Sequence, residues 1–348
     1  MIASKTKLWL AIAPKSCLCS GNGAAQPSAA SGFLHSIEAR DCDQINQLVT
    51  GGEAVYVQTG RGEFNGAIRR LRLGSLTLLQ TVCPNKTVVR VVTERDKHYA
   101  FIPLKSAETM SWNGRDQLNP GVFSWDGQFG FFRRGMNTEM VSLIYDGNSY
   151  AASRSAWLGI EPGVMPPRHE GRNAPARLSG AFHGLLQQVL GMMISEPQAF
   201  QMPGFRQTIE ESITKALLLA EHGEGGNGRL SAASRLGRAD IVHQADEYLH
   251  GRLGQPVYLL ELCRALGVNA RTLNYAFHDV CGMSPLQYLK LRRLRLVRQI
   301  LRNGIHAGGS VKAAALQCGF ADLGRFSIEY RRFFGESPSQ TLEGGLRR

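Results

Sequence analysis

The chain has 348 residues, 43% of them apolar and 20% charged, which is the composition of an ordinary globular protein with two or three domains. After the first 32 residues no stretch reaches the ~18 consecutive apolar residues that a transmembrane helix needs. The net charge is +12 and unevenly spread, because residues 233–348 hold 17 Lys/Arg against 9 Asp/Glu. This basic segment favours a polyanionic partner, either nucleic acid or an anionic membrane surface, over a merely solvated basic face.

The first residues are predicted to lie outside any folded domain. The segment "KTKLWLAIAPK" has basic flanks like a signal peptide, but its apolar run is short and Pro14 interrupts it. A stretch rich in Gly, Ala and Ser follows directly. We therefore predict a disordered segment over 1–32.

Residues 33–222 predict a sheet domain with packing helices. Short runs such as "EAVYVQTG", "RLRLGSLTLLQTV", "TVVRVVTE", "YAFIPL" and "VSLIYDG" are rich in Val, Ile and Leu and are separated by turn residues. This spacing favours an antiparallel barrel or sandwich up to about Ala156. Apolar residues at three- and four-residue spacing then predict helices over 176–193 and 205–222. The Gly- and Ser-rich segment 223–234 predicts a linker to a helical domain over 235–342.

The helical domain contains a twofold repeat. In the first unit a short helix ends near Ala265, Gly267 allows a tight turn, and Asn269 is an N-cap for a helix that buries Leu273 and Phe277. A short helix, a turn and a second capped helix form a helix-turn-helix.

The second unit follows 53 residues later. Ser310 can cap its first helix, Gly319 supplies the turn and Asp322 caps its second helix. Phe326 and Tyr330 occupy the places of the two apolar residues of the first unit. Two such units are a much stronger signal than one.

The segment "PLQYLKLRRLRLVRQIL" (285–301) predicts a rigid helix of about 25 Å that joins the two units. Its apolar residues can face the core, and we expect Arg292, Arg295, Arg298 and Arg302 to lie largely on the outside. Such a helix can hold two recognition helices about one DNA turn apart.

Residues 236–342 resemble the DNA-binding domain of the AraC/XylS family of bacterial transcription regulators. The resemblance rests on "LGVNARTLNYAF", "GMSPLQYLKLRRL", "SVKAAALQCGF" and "RFFGESPSQTL". It implies an α+β protein of two domains: an N-terminal, cupin-like antiparallel β-barrel or sandwich and a C-terminal all-α double helix-turn-helix. It also implies that the N-terminal domain senses an effector or mediates dimerisation.

The resemblance and the helical geometry together predict base contacts from both recognition helices. In the first helix the family's base-reading positions match Arg271, Asn274 and Tyr275, and the chemistry of Arg with guanine and of Asn with adenine agrees. Tyr275 departs from the family, which commonly has Arg there. The corresponding outward residues of the second helix are Gly324, Arg325 and Ile328.

Phosphate contacts are expected from residues beside these positions and from the preceding helix. They are Lys312, Ser327, Arg331 and Arg332. The alternative for each arginine is a solvated charge or a member of an ion pair.

Five residues of the sheet domain are candidate effector ligands, because Arg or Trp inside a β-barrel can hold an anionic or aromatic molecule. They are Arg90, His98, Trp112, Trp125 and Arg133. The alternative is that the arginines face solvent and the tryptophans belong to the core. The region has no His-x-His pair, so neither a metal site nor a cofactor is predicted.

The seven cysteines lack a metal-binding spacing and are predicted to be reduced, which favours a cytoplasmic protein. The leading hypothesis is a dimeric, sequence-specific transcription regulator that binds double-stranded DNA, contacts RNA polymerase if it is an activator, and carries no enzyme activity. Two alternatives stay open: a non-specific architectural DNA-binding protein, and a cupin-like enzyme fused to a DNA-binding module.

Overall fold

The computed structural model describes residues 32–46, 48–106, 110–117, 121–127, 130–159, 171–172, 176–222, 233–252, 257–302 and 310–346. The predicted disordered segment, Gly32 excepted, and nearly all of the predicted linker lie outside these residues.

The N-terminal domain contains two antiparallel sheets. Its strands are β1 (Leu34–Ala39), β2 (Gly52–Gln58), β3 (Gly66–Leu73), β4 (Leu76–Cys83), β5 (Thr87–Thr93), β6 (Lys97–Lys105), β7 (Met110–Trp112), β8 (Arg115–Gln117), β9 (Val122–Asp126), β10 (Gly130–Gly135), β11 (Thr138–Asp146) and β12 (Gly171–Arg172). The larger sheet has the order β1-β3-β4-β11-β6-β9-β12 and the smaller one the order β2-β5-β10-β7-β8. All five Val-, Ile- and Leu-rich runs lie in strands, and the longest, RLRLGSLTLLQTV, contains parts of both β3 and β4.

The inner faces of the two sheets pack on each other through an apolar core. This core includes Tyr56 and Phe131 from the smaller sheet and Ile68, Leu79 and Phe101 from the larger one. Within the described residues the two sheets do not join into a closed barrel. Of the two architectures that the strand pattern allowed, the domain therefore adopts the sandwich.

The described part of this domain contains four α-helices, namely α1 (Cys42–Asn46), α2 (Gly147–Leu158), α3 (Ala176–Ser195) and α4 (Pro203–His222), and a short 3-10 helix at Pro197–Gln201. Helices α3 and α4 confirm the helical periodicity of the sequence and cover the outer face of the larger sheet, where Phe182 and Leu217 meet Leu78 and Leu143. Helix α2 occupies a region predicted to be strand. It begins directly after β11, because the Asp146 side chain accepts a hydrogen bond from the Ser149 amide at 3.1 Å and caps the first turn.

The C-terminal domain is entirely helical in its described residues. Its helices are α5 (Ala233–His250), α6 (Leu259–Leu266), α7 (Ala270–Cys281), α8 (Pro285–Arg302), α9 (Val311–Gln317), α10 (Leu323–Phe334) and α11 (Pro338–Leu346). Helix α8 is the predicted connection between α6–α7 and α9–α10.

The helical domain packs on the outer face of the smaller sheet. Val55, Val57, Val88 and Phe132 of the sheet share one apolar cluster with helical residues such as Val242, Phe277 and Leu291. A buried carboxylate, Asp246 of α5, lies at this junction. The two domains therefore share a continuous apolar core in this structure.

The expectation that the arginines of α8 lie outside is wrong for two of them. Arg292 and Arg298 are buried, whereas Arg295 and Arg302 are half-buried. Arg292 donates to Asp246, and Arg298 donates to Glu336 at 2.9 Å. The periodicity of a single helix cannot show that other elements cover this face of α8. Those elements also supply the carboxylates that pair with the two arginines.

Candidate DNA-binding surface and effector cavity

The first helix-turn-helix is formed by α6 and α7 as the sequence predicts. Gly267 ends α6 with a φ of +65°, a left-handed conformation that favours glycine. The Asn269 side chain accepts a hydrogen bond from the Thr272 amide at 2.8 Å and caps α7. Leu273 and Phe277 are fully buried, so the opposite side of α7 faces outward.

The outward side of α7 presents the three predicted base-contact residues. Arg271 is exposed, and its guanidinium lies 5.5 Å from the ring centroid of Tyr275, whose side chain is 56% exposed. Asn274 is half-buried and its Nδ2 donates to the Ala270 carbonyl at 2.9 Å. In this DNA-free form the amide of Asn274 is therefore engaged by its own helix and has to rotate before it can pair with a base.

The second helix-turn-helix has the same construction. Ser310 caps α9, Gly319 makes the turn with a φ of +80°, and the Asp322 side chain accepts from the Arg325 amide at 2.9 Å. Phe326 and Tyr330 are buried with ring centroids 5.6 Å apart. The aromatic stripe of α10 thus belongs to the core, as its spacing predicts.

The outward side of α10 is more open than that of α7. Ile328 is 71% exposed and the Arg325 side chain is 77% exposed. A Cβ added to Gly324 would meet nothing within 4 Å except the Asp322 carboxylate at 3.5 Å. Because the fold of the free protein leaves room for a side chain there, the glycine is not required by packing.

One acidic residue on this surface was not singled out from the sequence. Glu329 accepts from Lys290 Nζ at 3.2 Å and lies 3.4 Å from Arg325 Nε. The only sequence feature that points to this ion pair is the position of Glu329 four residues after Arg325 on the same helix. Glu329 holds Arg325 along α10 in the free protein, so a base or phosphate has to compete with it.

The four predicted phosphate-contact residues are exposed. They are Lys312, Ser327, Arg331 and Arg332. The Ser327 hydroxyl donates to the Leu323 carbonyl at 2.9 Å. The buried Arg292 and Arg298, in contrast, are occupied inside the domain.

The five candidate effector ligands occupy three different places. Trp112 and Trp125 are buried in the aromatic core between the sheets, where Trp112 stacks on Phe123 at 4.4 Å and Trp125 on Phe101 at 5.0 Å. Their position agrees with the core alternative for tryptophan.

His98 and Arg90 lie on outer faces of the sheets. His98 is buried beneath α2 and α4, stacked on Tyr150 at 3.6 Å and 3.4 Å from Glu221. Burial raises the pKa of Glu221, but the His98 charge and hydrogen bonds outweigh it and lower the pKa to about 2. Arg90 faces α5, with its Nε 3.1 Å from Asp246. A small cavity lies between the two sheets. Neither His98 nor Arg90 lines it, because alternate residues of a strand point to opposite faces and these two point outward.

Arg133 does line that cavity. The cavity measures about 40 Å³ and lies between β2, β5 and β10 on one side and β4, β6 and β11 on the other. Its walls are mostly apolar, with hydroxyls from Thr81 and Ser142. Arg133 is 2% exposed, and its Nη1 donates to Thr138 Oγ1 at 3.3 Å.

The described residues contain no cluster of three His, Cys, Asp or Glu side chains arranged to hold a metal ion. None of the helices in those same ranges combines the length and apolarity needed to cross a bilayer. The five cysteines within them are buried and form no disulfide with one another, and burial raises the pKa of the Cys83 thiol to about 11.

Comparisons with known proteins match the C-terminal domain. A family model described as a helix-turn-helix domain covers residues 262–344. The probable thc operon regulatory protein of Rhodococcus erythropolis is 35% identical over 102 residues, which are 29% of this chain and 31% of that protein. The XylDLEGF operon transcriptional activator 2 of Pseudomonas putida is 33% identical over 28% of this chain and 61% of its own length.

One solved structure is also similar to this chain in sequence. A probable AraC family transcriptional regulator from Rhodopseudomonas palustris is 36% identical, with a TM-score of 0.29, over 30% of this chain and 97% of that chain. The chain thus spans 31% and 61% of the length of the two curated relatives and nearly all of this solved domain.

Two capped helix-turn-helix units on one connecting helix define a double helix-turn-helix protein. Over this domain the chain matches a helix-turn-helix family model and is similar to transcription regulators of the AraC/XylS family.

Proposed function

We infer that the protein is a sequence-specific transcription regulator of double-stranded DNA. The observation that carries this is the pair of recognition helices, each capped and anchored by a buried apolar face, with different exposed side chains. Arg271, Asn274 and Tyr275 read bases from α7, and Gly324, Arg325 and Ile328 read bases from α10. Two different outer faces suit an asymmetric pair of sites.

The remaining exposed cations position the domain on the duplex. Lys312, Arg331 and Arg332 contact phosphates, as does the Ser327 hydroxyl after it leaves its own helix. Gly324 lets the backbone of α10 approach the DNA closely. The region 235–342 is the DNA-binding domain, 33–222 is the effector-sensing and dimerisation domain, and 223–234 links them.

The regulator acts in the cytoplasm as a homodimer, without cofactor or enzyme activity, and its N-terminal domain responds to a small molecule. Where it activates a promoter, RNA polymerase is the further partner. The cavity at Arg133 supports an effector site, because it is enclosed between two sheets and contains a charged group.

The test is selection of duplexes from a random library by the full chain, followed by titration of the enriched sequence. We expect a consensus of two unequal boxes and an affinity at least 10³-fold above that for random duplex at physiological salt. Enrichment without any consensus would support the architectural alternative instead. Titration with divalent metals and a search for bound metal address the cupin-like enzyme, for which we expect no bound ion.

A further inference from the structure

The guanidinium of Arg133 is buried without a counter-charge. Its Nε and Nη2 are both buried and have no hydrogen-bond partner among the described residues. Of the four other buried arginines in the described residues, three meet a carboxylate: Arg90 and Arg292 meet Asp246, and Arg298 meets Glu336. The fourth, Arg154, differs from Arg133 because none of its nitrogens is both buried and without a hydrogen-bond partner. Because a buried charge is costly unless it is paired, Arg133 stands out as an incomplete site.

Two buried titratable groups that interact electrostatically with Arg133, Tyr56 and Cys83, are neutral at physiological pH. Burial raises the pKa of Tyr56 to about 12 and that of Cys83 to about 11, so neither becomes an anion. Thr138 offers only a hydroxyl. Glu53 lines the mouth of the cavity, but its side chain is 56% exposed and lies 3.4 Å from Arg90. The missing negative charge is therefore not supplied by these residues.

The two unpartnered nitrogens define the shape of the missing group. Nε–H and Nη2–H lie along one edge of the planar guanidinium and form a fork that matches the two oxygens of a carboxylate. A single-atom anion such as chloride satisfies this fork less well. The geometry therefore favours a planar carboxylate.

The cavity limits the size of the body attached to that carboxylate. About 40 Å³ holds roughly three water-sized groups, since one water needs ~10–15 Å³ by the same measure. The walls near Arg133 include Val89, Phe131 and Met140, which suit an alkyl chain. A chain of two to four carbons fits these limits, with its far end directed to the mouth at residues 49–53.

We propose that the N-terminal cavity binds a short-chain monocarboxylate, whose carboxylate accepts hydrogen bonds from Nε and Nη2 of Arg133. This names the chemical class of the effector and so rests on the proposed function.

The position of Arg133 in β10 connects this site to the DNA-binding domain. Its neighbour Phe132 packs in the apolar cluster shared with α7. On the other side, Arg134 Nη1 donates to the His278 carbonyl of α7 at 3.5 Å. A ligand that pulls on Arg133 therefore acts on the strand that supports the C-terminal half of the first recognition helix, and we expect it to change DNA affinity about fivefold or more.

The experiment is calorimetric and thermal titration of the full chain with sodium acetate, propionate, butyrate and octanoate. Butyramide is the neutral control of equal shape, and sodium chloride is the control for simple anions. We expect one site per chain for propionate or butyrate, binding at least tenfold weaker for butyramide, and no saturable effect of chloride. Octanoate is expected to bind more weakly than butyrate because of the cavity size.

Two variants locate the site. Arg133→Met removes the charge at similar length and is expected to fold, since it relieves an unpaired buried charge, but to lose the butyrate-induced rise in Tm. Arg133→Lys keeps the charge without the fork and is expected to bind butyrate at least tenfold more weakly. Circular dichroism confirms the fold of each variant, and Arg72→Ala, an exposed arginine on β3, is the matched control.

Three outcomes would overturn the proposal: equal binding of butyrate and butyramide, saturation by chloride alone, or unchanged butyrate binding in a folded Arg133→Met. Duplex selection is run on the same preparation without carboxylate. A protein with a consensus but no carboxylate site refutes only this inference. A carboxylate site without a consensus refutes only the proposed regulator.

Discussion

The two helix-turn-helix units share one framework but expose different chemistry. Asn269 and Asp322 cap the two recognition helices in the same way, with side chain to amide distances of 2.8 and 2.9 Å. The first helix then presents a polar pair beside a tyrosine, whereas the second presents a glycine, an arginine and an isoleucine. The repeated part supplies the caps and buried faces of both helices, and the varied part is the exposed surface that we propose reads DNA.

The units also differ in how they are tied to the rest of the molecule. Helix α5, which packs on α7 of the first unit, carries Asp246, a buried carboxylate that accepts from Tyr288 at 2.8 Å and from Arg292 and also meets Arg90 of the sheet domain. The corresponding acidic residue of the second unit is Glu336, which is partly exposed and accepts from Arg298 and Thr341. Asp246 therefore joins α5, α8 and the N-terminal domain, whereas the second unit meets that domain through the Gly62 amide, which donates to the Phe333 carbonyl of α10 at 3.1 Å.

The largest expected effect is on the free energy of unfolding, and it should differ between Asp246 and Glu336. Asp246→Ala should lower the free energy of unfolding by about 3–5 kcal/mol, because it leaves Arg292 buried without its partner. Glu336→Ala should cost about 1–2 kcal/mol, since solvent reaches that site. Urea unfolding measures both, with Asp240→Ala on the exposed side of α5 as the control. Equal losses from the two substitutions would contradict the asymmetry.

The next effect concerns the exposed arginine of the second recognition helix. Arg325→Ala should weaken binding to the selected duplex by about 1–3 kcal/mol and relax the preference at one base pair. Fluorescence anisotropy with single-base variants of the site measures this, and Arg72→Ala again serves as the matched control. If the base preferences of Arg325→Ala stay those of the wild type, Arg325 does not read a base.

Arg331, further along the same helix, should behave differently. Arg331→Ala should weaken selected and random duplexes similarly and reduce the slope of log K against log salt by about one unit. The physical reason is that a phosphate contact releases counterions but carries no sequence information. A loss confined to the selected duplex would instead make Arg331 a base reader.

The smallest effect tests the shared framework itself. Asn269→Ala and Asp322→Ala should each cost about 1 kcal/mol in the free energy of unfolding, because each removes one N-cap hydrogen bond. Substitution by Gly at either position should cost only a few tenths of that. Thermal and urea unfolding compare the four variants. Clearly unequal losses would show that the two caps are not equivalent.

The burial of several arginines and of His98 could not be predicted from the sequence. The period of α8 correctly predicts a helix, yet it places Arg292 and Arg298 outside, because a side chain is buried only when a neighbouring element covers it. Likewise His98 and Arg90 are recognisable as strand residues, but the strand alternation alone does not say which face becomes the cavity. Helix α2 was missed because its sequence, GNSYAASRSAWL, has few apolar residues and hardly any helical periodicity to mark it.

The sequence by itself determined the two helix-turn-helix units, their caps and turns, and the outward residues of both recognition helices, because these depend on interactions within a few residues of the chain. It also predicted the helices α3 and α4 and an antiparallel sheet domain, since hydrophobic period is a local property. Only the tertiary structure decided that the sheets form a sandwich, that Asp246 collects arginines from two domains, and that Arg133 alone among the candidates faces the cavity. Those facts depend on which faces meet across long separations in sequence, where the free energy of burial and pairing decides the outcome.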